Sequence, residues 1–151
     1  EWNHDSSLDW HLLDYEKHKG IQALYKALNN LYTSTPALYE QDHEPGGFAW
    51  LDHNNADQSV VSFVRMSKDA KQKVYVVSNF TPVPRQNFRI GVDDACTLTL
   101  ALNTDDGAYW GSDYDVASTV NTQTIPWNER THSAEITLPP LATVFYVANV
   151  D

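Results

Sequence analysis

The sequence predicts a mainly β chain: an antiparallel β-sandwich preceded by one α-helix. Three observations carry that prediction. Apolar residues between Lys17 and Tyr32 recur at offsets of three and four, the spacing of one helix face. Beyond Pro36 the chain breaks into short runs rich in β-branched and aromatic residues, separated by turn-forming segments. One of these runs, Thr97–Leu102, alternates polar and apolar with period two, as a half-buried strand does.

Taken in order, residues 1–16 have no clean periodicity, although Asp5-Ser6-Ser7 supplies turn or N-cap chemistry. The helix follows, with Ile21, Leu24, Tyr25, Leu28, Leu31 and Tyr32 on its apolar stripe. Pro36 drives Thr35 to extended geometry, so the helix is expected to stop near Thr33. Its apolar face requires a packing partner. Glu44-Pro45-Gly46-Gly47 is a turn. Strands are then expected at Phe48–Asp52, Ser59–Met66, Lys73–Phe80, Asn87–Val92, Thr97–Leu102, Ala134–Leu138 and Ala142–Ala148. Between the fifth and sixth of these lies Asn103–His132, long, polar and aromatic, where a short strand is expected near Val116–Val120 or Gln123–Ile125.

Composition narrows the function classes. The chain has 151 residues, 42% hydrophobic and 20% charged, which suits one ordinary domain. Ten Lys+Arg against twenty Asp+Glu give a net charge of −10, the wrong sign for nucleic acid or an anionic membrane surface. No apolar run reaches the roughly 18 residues of a spanning helix. The single cysteine, Cys96, excludes an internal disulfide and a cysteine-based zinc cluster, and it fits a reducing, cytoplasmic compartment. Cys96 itself reads as a small buried hydrophobe. The opening at Glu1, without a secretory leader, reads like the interior of a longer protein.

An ordered series of motifs then narrows the reading further. EWNHDSSLDWHLLDYEKHKGIQAL at 1–24, STPALYE at 34–40 and GGFAWLD at 46–52 come first. SNFTPVPRQNFRIGV at 78–92, LNTD at 102–105 and TLPPLATVFYV at 137–147 complete it. The series resembles the C-terminal end of the bacterial 1,4-α-glucan branching enzymes, in the α-amylase superfamily. The match runs through nearly the whole chain and is weakest over Tyr109–His132. The resemblance implies that residues 1–35 are the last loop and helix of a catalytic (β/α)₈ barrel. It implies that 36–151 are the all-β domain that follows. The family breaks an α-1,4 link and rejoins the chain to a 6-hydroxyl, with retention. Retention needs a nucleophilic carboxylate and an acid/base carboxyl about 5–5.5 Å apart. The flanking motifs of those groups do not occur in this sequence, so no catalytic residue is expected here.

The expected partners are therefore α-glucan and the remainder of the barrel, with self-association through the helix if the barrel is missing. No cofactor or metal is expected: His4, His11 and His18 recur every seven residues, but no HExxH or Cys/His set accompanies them. No GxSxG or GxGxxG occurs either. A sugar ring offers an apolar CH face and a hydroxyl rim, which an exposed aromatic plane with nearby amides or carboxylates can grip. Trp50 is the leading candidate, with Trp110 in the long loop. The resemblance adds Trp2, Asn3 and Asp5, on the loop after the last barrel strand. If Phe48 faces the core, strict alternation buries Trp50 with it. Arg85 and Arg89 are expected to pair with local acids. The alternatives to a branching-enzyme segment are a free-standing carbohydrate-binding sandwich and a purely structural β module.

Overall fold

A computed structural model of the chain describes residues 3–149. A 3-10 turn at Trp10–Asp14 leads into helix α1, Glu16–Ser34. Glu16 sits in its first turn, where a negative charge suits the helix dipole. The helix stops where Pro36 dictates: Thr35 is extended, with φ −121° and ψ 94°. Pro36 then opens a one-turn helix, α2, Pro36–Tyr39, which the sequence pattern did not reveal.

Eight strands follow: β1 Phe48–Asn55, β2 Val60–Met66, β3 Gln72–Asn79, β4 Arg85–Val92, β5 Thr97–Asn103, β6 Thr119–Asn121, β7 His132–Leu138 and β8 Thr143–Asn149. All pairings are antiparallel. Six strands form one sheet in the order β1-β2-β3-β8-β5-β6, and β4 pairs with β7 in a second. The seven expected strands are all present. The eighth, β6, falls in the long segment, where it pairs with β5 through Leu98 and Val120.

The core lies between the sheets. Alternate residues of β2, β3 and β8 face inward: Val60 and Val64, Tyr75 and Val77, Val144 and Tyr146. They meet Ile90 and Val92 of β4 and Ala134, Ile136 and Leu138 of β7. Burial pushes the Tyr146 phenol up to about 12, and its hydroxyl donates to the Ala117 carbonyl at 3.0 Å. The opposite face of the large sheet carries Val74 and Val76, which Ala37 and Leu38 of α2 cover, with Leu31 of α1 packed alongside. Helix α1 is otherwise thinly covered. Gly20 is its one buried residue, while Ile21 and Tyr25 stand in solvent.

Two motifs from opposite ends of the β region lock together. The buried Asn79 amide donates at 2.9 Å to the carbonyls of Val83 and Pro139, and its oxygen accepts from the Thr81 N–H and hydroxyl. Its backbone N–H donates to Ala142 at 2.8 Å. One side chain thus satisfies both the SNFTPVPR turn and the LPPLAT corner, whose prolines supply no donors of their own. At the other end of β3, the buried Lys73 ammonium donates to Asp94 at 2.6 Å and Asp93 at 3.1 Å, and Arg130 also reaches Asp93 at 3.0 Å. Burial alone would lower the Lys73 pKa, but its hydrogen bonds to Asp94 and Asp93 outweigh it and hold the pKa above its ordinary value.

Arg89 pairs with Glu135, as expected. Arg85 pairs with no acid among the described residues. Its Nη2 donates to the Gln58 carbonyl at 2.6 Å, because β4 runs beside the turn after β1 rather than beside a carboxylate. Cys96 is half-buried, packed against the core edge.

Candidate functional site

Period-two alternation fixes which residues of a strand share a side, but not which side is the core. In β1 the inward set is Leu51, in the core cluster, and Ala49, packed against it. Phe48 and Trp50 face outward, at 37% and 50% exposure. Of the two orientations the sequence left open, the one with Phe48 inward and Trp50 buried beside it is therefore not adopted. The smaller side chains fill the narrow space under an edge strand, and the large rings take the open face.

There the rings assemble into a platform. Trp50 pairs across the ladder with Phe63 of β2. The Trp50 and Phe48 rings meet edge to face with centroids 4.9 Å apart, and Phe48 lies 5.3 Å from Phe63. His53 adds a fourth ring, 5.7 Å from Trp50. Phe63 is rooted in the apolar cluster under α2, so the platform is anchored from below. With these ring contacts made, Trp50 keeps half its surface exposed, aromatic area of the kind a sugar ring packs against. Sequence reasoning missed Phe63 and His53. Nothing local signals Phe63, whose membership depends on the β1–β2 register.

The platform's flank is tied to the helix. Arg65 donates from Nε to the Gly47 carbonyl at 2.9 Å and from Nη2 to Asp42 at 2.6 Å. Tyr32 of α1 donates to the same carboxylate at 2.5 Å. The Tyr32 hydrogen bond, and then that of Arg65, hold the Asp42 carboxyl below its ordinary range, while the Tyr32 phenol is raised in return. Beside this chain an apolar groove of about 370 Å³ runs between α1 and the sheet, lined by Leu28, Leu31, Leu38, Phe63 and Phe145.

Trp110 stands elsewhere. It closes a 3-10 turn, Gly107–Tyr109, in left-handed geometry with φ 68°. Its segment is well folded: the buried Asp105 carboxylate accepts from the N–H groups of Ser112 and Tyr114 and from the Ser112 hydroxyl. The turn sits directly on α1. A Cβ at Gly20 would lie 2.7 Å from the Tyr109 carbonyl oxygen, so only glycine admits this contact. Trp110 is 54% exposed, with the Lys17 ammonium 4.3 Å from its ring centre. Together with Leu12, Tyr15 and His18 it lines a second cavity of about 490 Å³.

Asn3 and Asp5 are exposed, and the Asp5 N–H donates to the Asn3 side-chain oxygen at 3.0 Å. Among the described residues no hydrogen bond or ring contact joins either to Trp50 or Trp110. Trp2 lies outside the described residues. Also among the described residues, no group of three His, Cys, Asp or Glu side chains is placed to hold a metal ion. No described helix is long and apolar enough to cross a membrane.

Comparison with known proteins gives this surface a context. Residues 50–149 match the family model described as "Alpha amylase, C-terminal all-beta domain". The chain is 57% identical over 145 residues to a 1,4-alpha-glucan branching enzyme of Pseudoalteromonas atlantica, covering 96% of this chain and 20% of that protein. The enzyme of the same name from Vibrio parahaemolyticus is 44% identical over 146 residues, 97% of this chain and 19% of that one. That from Aquifex aeolicus is 45% identical over 145 residues, 96% of this chain and 23% of that one. The chain thus spans about a fifth of the length of the curated relatives it matches.

Proposed function

The chain belongs to the alpha-amylase C-terminal all-beta domain family, and from that premise we propose that it is the C-terminal portion of a glycogen branching enzyme. Such an enzyme cleaves α-1,4-glucan chains and transfers them to a 6-hydroxyl, forming α-1,6 branches. In this reading residues 1–35 complete a (β/α)₈ barrel, residues 36–151 form the domain behind it, and the enzyme works in the cytoplasm. The chain's own share is to steady the barrel and to hold glucan; the catalytic carboxylates belong to the barrel. The observation that carries the reading is the 57% identity with a branching enzyme over nearly the whole of this chain.

Two structural features fit that division of labour. The exposed Ile21 and Tyr25, with Leu8, Trp10 and Tyr15 nearby in sequence, leave α1 an apolar face that a barrel would cover. Without the barrel, the same face drives self-association. The Trp50 platform offers an aromatic plane to the CH face of a glucose unit.

The test uses a protein that carries this chain behind a barrel. Trp50→Ala should slow branching of long amylose severalfold and weaken retention on glycogen, while turnover of short malto-oligosaccharides and the thermal midpoint stay unchanged. An equal loss on short and long substrates, without unfolding, would remove the platform's glucan role. The 151-residue chain alone should sediment with glycogen and form no branches. Branching of amylose by that chain would place the carboxylates here and overturn the assignment.

A further inference from the structure

A second surface is built where β1 leaves the outer face. Trp50 pairs with Phe63, but Asp52 pairs with Ser62, so β1 spends two steps against one on β2. Leu51 is the extra residue of this bulge. In regular alternation Asp52 would share Trp50's outer side. Instead it stands opposite the inward-facing Ser62, and a second irregularity, between Asp52 and Asn55, leaves Asn55 opposite the buried Val60. The end of β1 is thereby turned toward the other sheet. The facing strand is bulged as well, between Arg85 and Phe88, and Asn87 there takes a left-handed φ of 54°. Bulges re-aim side chains and gather beside sites. Three of the four ladder irregularities, two in β1–β2 and one in β4–β7 with the fourth in β5–β8, fall on these two walls.

Between the walls lies a cavity of about 570 Å³. Asp52, Asn55 and Gln58 line one side; Arg85, Asn87 and Arg89 line the other. Trp127, 48% exposed, stands at its margin. The turn that carries it is closed by reciprocal backbone bonds between Trp127 and Arg130, at 3.1 and 2.9 Å. It is held to β4 by the Gly91 N–H, which donates to the Asn128 side chain at 3.0 Å. Arg85 Nε is buried with no hydrogen-bond partner among the described residues, and the Asn87 side chain makes no hydrogen bond among them.

We infer that this groove is a second binding site for a neutral oligosaccharide, a stretch of α-glucan, separate from the Trp50 platform. The inference rests on the glucan reading proposed above. Its lining mixes amides, a carboxylate, guanidinium groups and one indole, which matches hydroxyls that both donate and accept, plus an apolar ring face. A phosphate or other anion is a poorer fit: it would meet the Asp52 carboxylate, in a chain of net charge −10.

The experiment is a nuclear magnetic resonance titration of the 151-residue chain with maltoheptaose, following indole and backbone N–H signals. The inference expects movement of the Trp127 indole and of Asn55 and Asn87, persisting in Trp50→Ala. Trp127→Ala in that background should raise the residual Kd at least tenfold, and Trp127→Phe should restore most of it. Movement of the Trp50 indole alone, with the Trp127 region still, would overturn the groove and leave the glucan reading standing. No movement at either indole would overturn both. Inorganic phosphate at the same concentration should leave the Trp127 region unmoved; equal movement would mark an anion site and refute the assignment to a neutral sugar.

Discussion

Gly91→Ala is the most exacting mutation in this fold. Gly91 lies buried in β4, and an added Cβ would stand 2.3 Å from the Trp127 carbonyl oxygen, 2.9 Å from Arg130 Cγ and 3.0 Å from Asn128 Cβ. The nearest atom is backbone, in a turn whose central residues Asn128 and Glu129 have φ of 48° and 61°. That pair marks a tight hairpin-type turn, which cannot bend away locally. Comfortable heavy-atom separation is about 3.5 Å, so the whole turn must shift by roughly 1 Å. Overpacking of this kind costs about 1–3 kcal/mol. The Gly91–Asn128 hydrogen bond is strained with it, adding about 1 kcal/mol. The expected loss is therefore about 2–4 kcal/mol, which lowers a urea midpoint by about 1–2 M. Gly46→Ala is the matched control. Its added Cβ would meet only the tip of the Gln41 side chain, at 3.1 Å, and Gly-to-Ala replacement also narrows the unfolded ensemble. Urea unfolding of the three proteins, followed by far-ultraviolet dichroism, decides the matter. If Gly91→Ala matches Gly46→Ala to within about 0.5 kcal/mol, the turn is not seated on β4 as described.

Other outcomes follow from the ion pairs. Asp69 is held below its ordinary value by the Ser67 hydroxyl and the Lys71 N–H, and Asp42 by Tyr32 and Arg65. Depressed carboxyls contribute stability that is complete above the unfolded value of about 4 and is lost as pH falls through the folded value. Thermal scans between about pH 5 and pH 2 should show a falling midpoint, with a shallower fall in Asp42→Asn and Asp69→Asn; an unchanged slope in both would refute these contacts. Lys73→Met should destabilise by about 2–3 kcal/mol by leaving Asp94 without its cation, and adding Asp94→Asn should recover part of that, as a double-mutant cycle in urea would measure.

How much of this was legible beforehand depended on how local each determinant is. Helix α1 follows from a period of 3.6, the seven strands follow from short β-branched and aromatic runs between turns, with period two plain in Thr97–Leu102, and Thr35 before Pro36 set the helix end within a residue or so. Strand β6 has three residues, too few for a period to show. The fold of the 103–114 segment depends on Asp105 reaching forward to Ser112 and Tyr114, chemistry that Asn-Thr-Asp-Asp suggests but does not place. Trp50 and Trp110, chosen as aromatic candidates, are both exposed, yet the orientation of Trp50 was open, because alternation leaves the choice of core side to the rest of the sandwich. Phe63, Arg85 and Trp127 acquire their neighbours from pairings across the sheets, and no window along the chain contains both partners.

The edge position of β1 explains why both candidate surfaces grow from one strand. An edge strand exposes unpaired backbone and invites pairing with another chain unless it is bulged, shortened or covered. Two irregularities within eight residues of β1 twist its free edge away from such pairing. The first has a second consequence, since it reverses the side on which the following residues lie. Leu51 stays in the core and anchors the strand at that point, so Trp50 is presented to the outer face and Asp52 to the groove. Deleting Leu51 would remove the anchor and the bulge together, with Asp52 still opposite the inward Ser62. Protection of the edge and division of the strand between two surfaces are therefore one structural decision, made at a single residue.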